Sequence, residues 1–160
     1  LLERVYIRDP KRVMSSYPHE LSGGMRQRVL IAAAFAPKPK LIVADEPTTA
    51  LDVTVQKQIL RLIRELQAES GTAVLFVTHD MGVVAKISQT VTVLFAGKVM
   101  ESADTASIFA NPQHPYTRAL ISATPRYTHP NEPMRPVPAE LITALAQEVA
   151  LSDVNGGSHG

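Results

Sequence analysis

The 160-residue sequence has no cysteine and no tryptophan, and aromatic residues are few. Without cysteine, the chain forms no disulfide and no thiolate metal site. Its longest apolar runs, at 29–36 and 73–77, fall well short of the roughly 20 residues of a membrane-spanning helix. The formal net charge of +1 gives no electrostatic case for nucleic-acid binding, which needs a concentrated basic face, so we expect no nucleic-acid partner. The remaining composition, 45% apolar, is that of a globular chain.

A phosphate-binding loop is also missing from the sequence. The pattern G-x-x-x-x-G-K-[ST], whose lysine holds the β- and γ-phosphates of a nucleotide, matches no segment. The one Gly-Lys pair, Gly97-Lys98, has Thr92 where the first glycine should stand and Val99 where a hydroxyl residue should follow. Because the chain begins at Leu1, in what looks like the middle of a domain, we expect it to be a fragment of a longer protein.

A glycine-bearing loop precedes the first predicted long helix. Ser22 can cap a helix over 22–35, which should end near Pro37. Gly23 and Gly24 carry no Cβ, so backbone N–H groups at this helix start could approach an anionic phosphate closely. Such a loop is weak evidence for a nucleotide site by itself.

An acidic pair ends the apolar run that follows. Residues 41–44 are typical of a strand buried on both faces of a parallel sheet, and Asp45 and Glu46 come directly after it. In an open parallel sheet, ligands bind beyond the carboxyl ends of the strands. Asp45 could therefore accept the waters of a Mg²⁺ ion, and Glu46 could act as the general base for an attacking water.

A second strand with a polar end follows after one helix. Apolar residues recur at helical spacing over 53–69, with Asp52 before them and Gly71 as the terminator. Residues 73–77 then form a second buried strand, and His79 follows its end. The order strand, helix, strand predicts a crossover in an α/β sheet. His79 could donate a hydrogen bond to a γ-phosphate or orient the attacking water.

Further along, a short helix over 81–87, an edge hairpin at 90–96 and 98–101, and a small helix over 105–109 are predicted. The amino-acid composition changes at residue 111, since seven of the twelve prolines lie between Pro112 and Pro138. We therefore divide the chain into 1–110 and a Pro-rich extension over 111–160.

Within this extension, 128–136 is predicted to be an extended linker and 155–160 a flexible end. Residues 138–151 are predicted to be helical, with Leu141, Leu145 and Val149 on one face.

Each feature has a plainer interpretation when it stands alone. An acidic pair after a strand is often a solvated turn, a strand-terminal histidine is usually structural, and Asp52 also suits a helix N-cap. Their joint occurrence in one order favours a nucleotide site over coincidence.

This order of motifs resembles that of the ABC-type ATPases. The matching segments are the signature at 21–24, the Walker B strand at 41–46, the D-loop at 50–52 and the switch histidine, His79. The resemblance extends over residues 1–120. It implies an α/β fold, part of a P-loop NTPase domain with parallel strands and flanking helices, which binds ATP and Mg²⁺.

The resemblance also implies a role for each matching residue. It assigns nucleotide contacts to Ser22, Gly23, Gly24 and Asp52, a water-mediated Mg²⁺ contact to Asp45, and catalysis to Glu46 and His79. In the family two such domains pair head to tail, so the signature serves the nucleotide of a second ATPase domain. That second domain would be an identical copy, a related chain or the other half of a tandem protein.

Several segments narrow the resemblance to the oligopeptide/dipeptide importer branch, which includes nickel and glutathione importers. Met25 stands where the general family has glutamine. The other segments that resemble this branch are Asn111-Pro112, 114–120 and 123–125. This branch implies transmembrane permease subunits, an indirect extracytoplasmic solute-binding protein and a peripheral place on the cytoplasmic face of the bacterial inner membrane. Residues 135–138 are similar to a connector in tandem proteins, although an ordinary tail explains them equally well.

Two other functions stay open. A soluble ABC ATPase working on DNA or the ribosome is disfavoured, because the sequence has no long coiled-coil insertion, zinc-ligand set or basic patch. A non-catalytic interaction fragment is favoured for the isolated chain by the missing phosphate-binding loop. A strand-and-helix set without its upstream sheet would also expose apolar faces, so we expect the isolated chain to aggregate and to lack ATPase activity.

Overall fold

The computed structural model describes residues 1–49, 51–124 and 136–156. The chain forms two compact units, Leu1–His79 and Asp80–Gly160. The helices and strands are α1 (Pro10–Met14), α2 (Gly23–Phe35), β1 (Leu41–Asp45), α3 (Val53–Ser70), β2 (Ala73–Val77), α4 (Met81–Ile87), β3 (Thr90–Phe95), β4 (Lys98–Asp104), α5 (Thr105–Ala110), α6 (Pro115–Ala123) and α7 (Ala139–Gly156), with a 3₁₀ turn at Pro18–Glu20. The predicted division at residue 110 stays a prediction.

In the first unit, β1 and β2 pair in parallel with α3 between them in the chain. The register runs from Leu41 opposite Ala73 to Asp45 opposite Val77. The predicted strand, helix, strand order is thus confirmed. One face of α3 is buried, and α2 packs against α3. The buried residues of these two helices are Ile31, Ala32, Phe35, Ile59, Leu60, Leu62, Ile63 and Leu66.

Both ends of α3 follow from its sequence. At the start, Asp52 Oδ1 accepts hydrogen bonds from the N–H groups of Thr54 and Val55, at 3.0 and 2.9 Å. At the end, Gly71 takes a left-handed conformation with φ of +67°, which other residues adopt at a cost. The predicted cap and the predicted terminator are both confirmed.

The strands of this sheet are not buried on both faces, so that expectation is wrong. Leu41, Val43, Leu75 and Val77 lie at alternate positions and are 46–60% exposed. The intervening positions are half-buried. A parallel sheet needs a covering layer on each face. The described residues supply no layer over the face that carries these four exposed side chains. This exposed apolar face is the kind of surface that we expected to cause aggregation of the isolated chain.

The second unit is built on a β3–β4 antiparallel hairpin with an irregularity in the register after Val93. Its turn residues, Ala96 and Gly97, have φ of +46° and +78°, as tight hairpin turns require. β4 runs to Asp104, beyond the predicted end. The core of the unit contains Met81, Val84, Val91, Val93 and Ile108, with parts of α5 and α6 packed against it.

Glu101 joins β4 to the start of α6. Its carboxylate accepts hydrogen bonds from the backbone N–H groups of Gln113 and His114, at 2.8 and 3.0 Å. His114 in turn caps α6, since its Nδ1 accepts the N–H of Tyr116 at 3.1 Å. Gln113 and His114, near the start of the Pro-rich extension, are thus fixed to the hairpin by hydrogen bonds.

The last helix, α7, begins one residue after its predicted start and extends to Gly156, so the expected flexibility is wrong for residues 155 and 156. Leu145 and Val149 on its predicted apolar face are buried. Most of the predicted linker, at 128–135, and the chain end at 157–160 lie outside the described residues. Among those described, no helix has the length and apolar character needed to cross a membrane.

We predict that charges on the exposed sheet face will reduce self-association. Val43 and Leu75 lie opposite each other in the register, so Val43→Glu combined with Leu75→Lys places an ion pair on solvated strands. Light scattering of the purified chain should show less aggregation than in the unsubstituted chain. The matched core substitution Ile59→Lys should unfold it instead, and equal aggregation of all three chains would contradict this view.

A second prediction concerns the N-cap of α3. Asp52→Ala should lower the free energy of unfolding by about 1 kcal/mol, because two backbone N–H groups lose their acceptor. Asp52→Asn keeps a capping oxygen and should cost much less. Urea unfolding measures both values, and equal losses would show that capping is not the cause.

Candidate active site

Glu46 directly follows β1 in a strained conformation. Its φ of +43° lies in the left-handed region, which is uncommon for residues other than glycine and is often found at functional sites. Its N–H donates to the carbonyl oxygen of Val77 at 2.9 Å, so the ends of β1 and β2 are held together. This backbone turn directs the Glu46 side chain towards the residues that follow β2.

The Glu46 carboxylate is the centre of a hydrogen-bond network. Oε1 contacts both the backbone nitrogen and the Nδ1 atom of His79, at 3.1 and 2.6 Å. Oε2 accepts the hydroxyls of Thr49 and Thr78, at 2.7 and 3.3 Å. An ionised carboxylate only accepts hydrogen bonds, so the proton between Glu46 and the His79 ring belongs on Nδ1. The structure thus brings the two predicted catalytic residues into direct contact.

These contacts lower the pKa of Glu46 to about 2. The hydrogen bond from Thr49 is the largest cause, desolvation acts in the opposite direction, and the hydrogen bonds and charge of His79 add to the lowering. The His79 side chain is 80% exposed and that of Glu46 35% exposed. Solvent and ligands can therefore reach the pair.

Sequence reasoning missed Thr49 and assigned no role to Thr78. Thr78 was visible beside His79 at the end of β2. Thr49 could have been found from its position three residues after Glu46, a spacing at which a hydroxyl reaches back across a turn. The backbone N–H of Thr49 also donates to the carbonyl oxygen of Glu46, at 3.2 Å, which closes that turn.

Asp45 is the last residue of β1 and is exposed at the same edge of the sheet. No cluster of three potential metal ligands occurs among the described residues. An exposed carboxylate nevertheless suits Mg²⁺, which keeps several waters and binds proteins through one or two carboxylates together with substrate phosphates.

The signature residues lie at the start of α2, where Ser22 Oγ accepts the N–H of Met25 at 3.3 Å. A Cβ on Gly24 would approach Val55 Cγ1 to 3.1 Å, and one on Gly23 would lie 4.0 Å from Leu51 Cδ2. Gly24 thus has a packing role, because it lets α2 approach α3 closely. In the described part of the chain, no hydrogen bond joins these residues to Glu46.

Asp52 caps α3 in the D-loop segment, while Ala50 of that segment lies outside the described residues. Neighbouring Thr48 is buried, and its hydroxyl accepts a hydrogen bond from Gln56 Nε2 at 3.3 Å. A cleft of about 1050 Å³ elsewhere in the first unit is lined by residues of the chain start, α2 and α3, and neither Glu46 nor His79 lines it.

We predict a specific acid dependence of stability. Because folding lowers the pKa of Glu46 to about 2, its contribution to the free energy of unfolding is fully present above the unfolded pKa. This contribution is lost as the pH falls through the folded value. Acid unfolding of Glu46→Gln should therefore be less steep in that window, whereas Glu140→Gln, at an exposed position of α7, should keep the original steepness. Equal steepness in all three chains would contradict the assignment.

Comparisons with known proteins show which families the chain resembles. The family described as ABC transporter matches residues 1–49, and the family described as oligopeptide/dipeptide transporter, C-terminal region, matches residues 100–148. The dimeric structure of a post-hydrolysis state of the ATP-binding cassette MJ0796 bound to ADP and Pi is similar, with a TM-score of 0.56 at 36% identity. That similarity covers 65% of this chain and 44% of the other.

Curated relatives are similar over a larger part of this chain. The oligopeptide transport ATP-binding protein OppD of Lactococcus lactis subsp. cremoris is 57% identical over 78% of this chain and 37% of its own length. The probable D,D-dipeptide transport ATP-binding protein DdpD of Escherichia coli is 50% identical over 96% of this chain and 47% of its own length. The chain thus spans less than half the length of these relatives. With both family matches, these identities show that the chain belongs to the ATP-binding proteins of ABC transporters, in their oligopeptide/dipeptide branch.

Proposed function

We propose that the protein containing this chain hydrolyses ATP to drive the import of peptides. The observation that carries the proposal is the contact between Glu46 and His79, 2.6 Å apart at the carboxyl end of two parallel strands. Hydrolysis needs a base for the attacking water and a group that holds the γ-phosphate. The Glu46 carboxylate supplies the base.

In this proposal His79 both orients Glu46 and faces the phosphate. Its Nδ1 proton is directed to Glu46, so Nε2 is the ring atom available to the nucleotide. Nε2 donates to a phosphate oxygen when both ring nitrogens are protonated. The 80% exposure of this side chain leaves room for that contact.

Asp45 would hold Mg²⁺ through water molecules. Its exposed carboxylate precedes Glu46 in the chain, and adjacent residues of a strand end point in different directions. The ion, when bound with ATP, neutralises negative charge on the phosphates. Asp45 would thereby bind the waters of the metal ion, whereas Glu46 would accept a proton.

Ser22, Gly23 and Gly24 would bind the nucleotide of a second ATPase domain, and Asp52 would help to hold that interface. The helix start at α2 offers backbone N–H groups to a phosphate, and Ser22 and Gly23 are exposed. The similar cassette MJ0796, a dimer bound to ADP and Pi, supports such pairing. The second domain would be an identical copy, a related chain or the other half of a tandem protein.

Peptides are the proposed solute class because of the match at residues 100–148 and the names of the relatives. The import would require transmembrane permease subunits and, indirectly, an extracytoplasmic solute-binding protein. The ATPase would then lie on the cytoplasmic face of the bacterial inner membrane, as a peripheral protein. A soluble ABC ATPase is disfavoured by the same match.

The isolated 160-residue chain is proposed to be inactive. It has no G-x-x-x-x-G-K-[ST] segment, and the sheet beside Glu46 exposes Leu41, Val43, Leu75 and Val77. A partner or further chain that covers this face would be needed for a working site. In isolation it would be an interaction fragment.

We predict that Glu46→Gln in the full-length protein will reduce ATP hydrolysis by a factor of about 10² or more, because the amide cannot accept the proton of water. The measurement is ATP turnover and labelled-peptide uptake in proteoliposomes that contain the permease subunits. ATP binding, followed by fluorescence of a nucleotide analogue, should persist.

Glu140→Gln is the matched control for this test, since Glu140 is an exposed residue of α7. It should leave turnover and uptake unchanged, and the 160-residue chain alone should show no turnover. Full ATPase activity of Glu46→Gln would contradict the proposed base, and absence of peptide uptake by the unsubstituted complex would contradict the solute class.

A further inference from the structure

Four hydrogen bonds engage the two oxygens of the Glu46 carboxylate in this structure. A carboxylate offers about four lone-pair sites on its two oxygens. Four contacts occupy them: the backbone nitrogen and Nδ1 of His79, and the hydroxyls of Thr49 and Thr78. An attacking water must therefore replace one of these contacts before it can donate to the carboxylate.

Thr49 makes the stronger of the two hydroxyl contacts that restrain Oε2. The His79 backbone nitrogen is positioned by the end of β2, next to the Glu46–Val77 hydrogen bond. The Thr78 hydroxyl is more distant, at 3.3 Å, whereas the Thr49 hydroxyl lies at 2.7 Å. Thr49 is exposed on a turn, so one side-chain rotation would release the carboxylate without disturbing the strands.

We propose that Thr49 is a positioning residue that holds Glu46 in a resting arrangement, and that its hydroxyl must leave Oε2 before ATP is hydrolysed. This inference rests on the proposed ATPase function and adds a control to the same site. Once Oε2 is released, an O–H bond of the attacking water breaks and its proton passes to Glu46. The water oxygen forms a bond to the γ-phosphorus, and the bond to ADP breaks.

The charges around the carboxylate are consistent with this role for Thr49. His79 is the titratable group in contact with Glu46, and Asp45 precedes Glu46 in the chain. Thr49 is neutral, so its effect comes from hydrogen bonding alone.

The first measurement tests the contact without requiring any enzymatic activity. In the full-length protein with ¹³C-labelled glutamate, the Glu46 signal, assigned by its loss in Glu46→Gln, is followed through acid titration. Thr49→Val keeps the shape of the side chain but removes the hydroxyl, so the titration midpoint should rise by about one pH unit. Thr49→Ser should restore the low midpoint.

Thr48→Val is the matched control for this titration. It removes the neighbouring hydroxyl, which contacts Gln56 instead of Glu46, and it should leave the Glu46 midpoint unchanged. The same midpoint in Thr49→Val as in the unsubstituted protein would overturn the inference.

The second measurement tests the effect on hydrolysis in the assembled complex. Thr49→Val should raise kcat with the KM for ATP unchanged, and it should move the acid limb of the pH profile upwards. Thr49→Ser should match the unsubstituted protein. A lower kcat in Thr49→Val would overturn the inference, because Thr49 would then support the active arrangement. If the unsubstituted complex lacks ATPase activity although the titration shift is found, the proposed function fails, and the role of Thr49 in hydrolysis fails with it.

Discussion

The parallel pairing of β1 with β2 is the interaction on which the candidate site depends. With Asp45 opposite Val77, the residues that follow the two strands meet at one edge of the sheet. The hydrogen bond from the Glu46 N–H to the Val77 carbonyl oxygen extends this pairing by one step and holds Glu46 in its left-handed conformation. A shift of the register by one residue would point the side chains of one strand to the opposite face and separate Glu46 from His79.

The electrostatic state of Glu46 follows from this geometry. Strand pairing supplies His79, and the turn after β1 supplies Thr49, so hydrogen-bond donors surround an ionised carboxylate on both oxygens. The arrangement stabilises the charged form of the carboxylate. In the proposed mechanism, rotation of the Thr49 hydroxyl releases the carboxylate before hydrolysis.

The exposed face of the sheet sets a second constraint. Side chains such as Val43 and Leu75 have the apolar character of a buried strand, yet the described residues leave them in solvent. The chain spans less than half the length of its relatives DdpD and OppD. Its local elements still form, because α3 has its own N-cap and C-cap and packs against α2.

The sequence by itself determined the elements and the order of the motifs. Strand, helix and strand follow from apolar periodicity and from local signals at Asp52 and Gly71, which act through hydrogen bonds and dihedral angles within a few residues. Only the tertiary structure decided that His79 meets the Glu46 carboxylate, because residues 33 positions apart are joined only by strand register. Burial was also beyond local prediction, since the composition of a strand indicates which faces suit a core but not which layers are present to cover them.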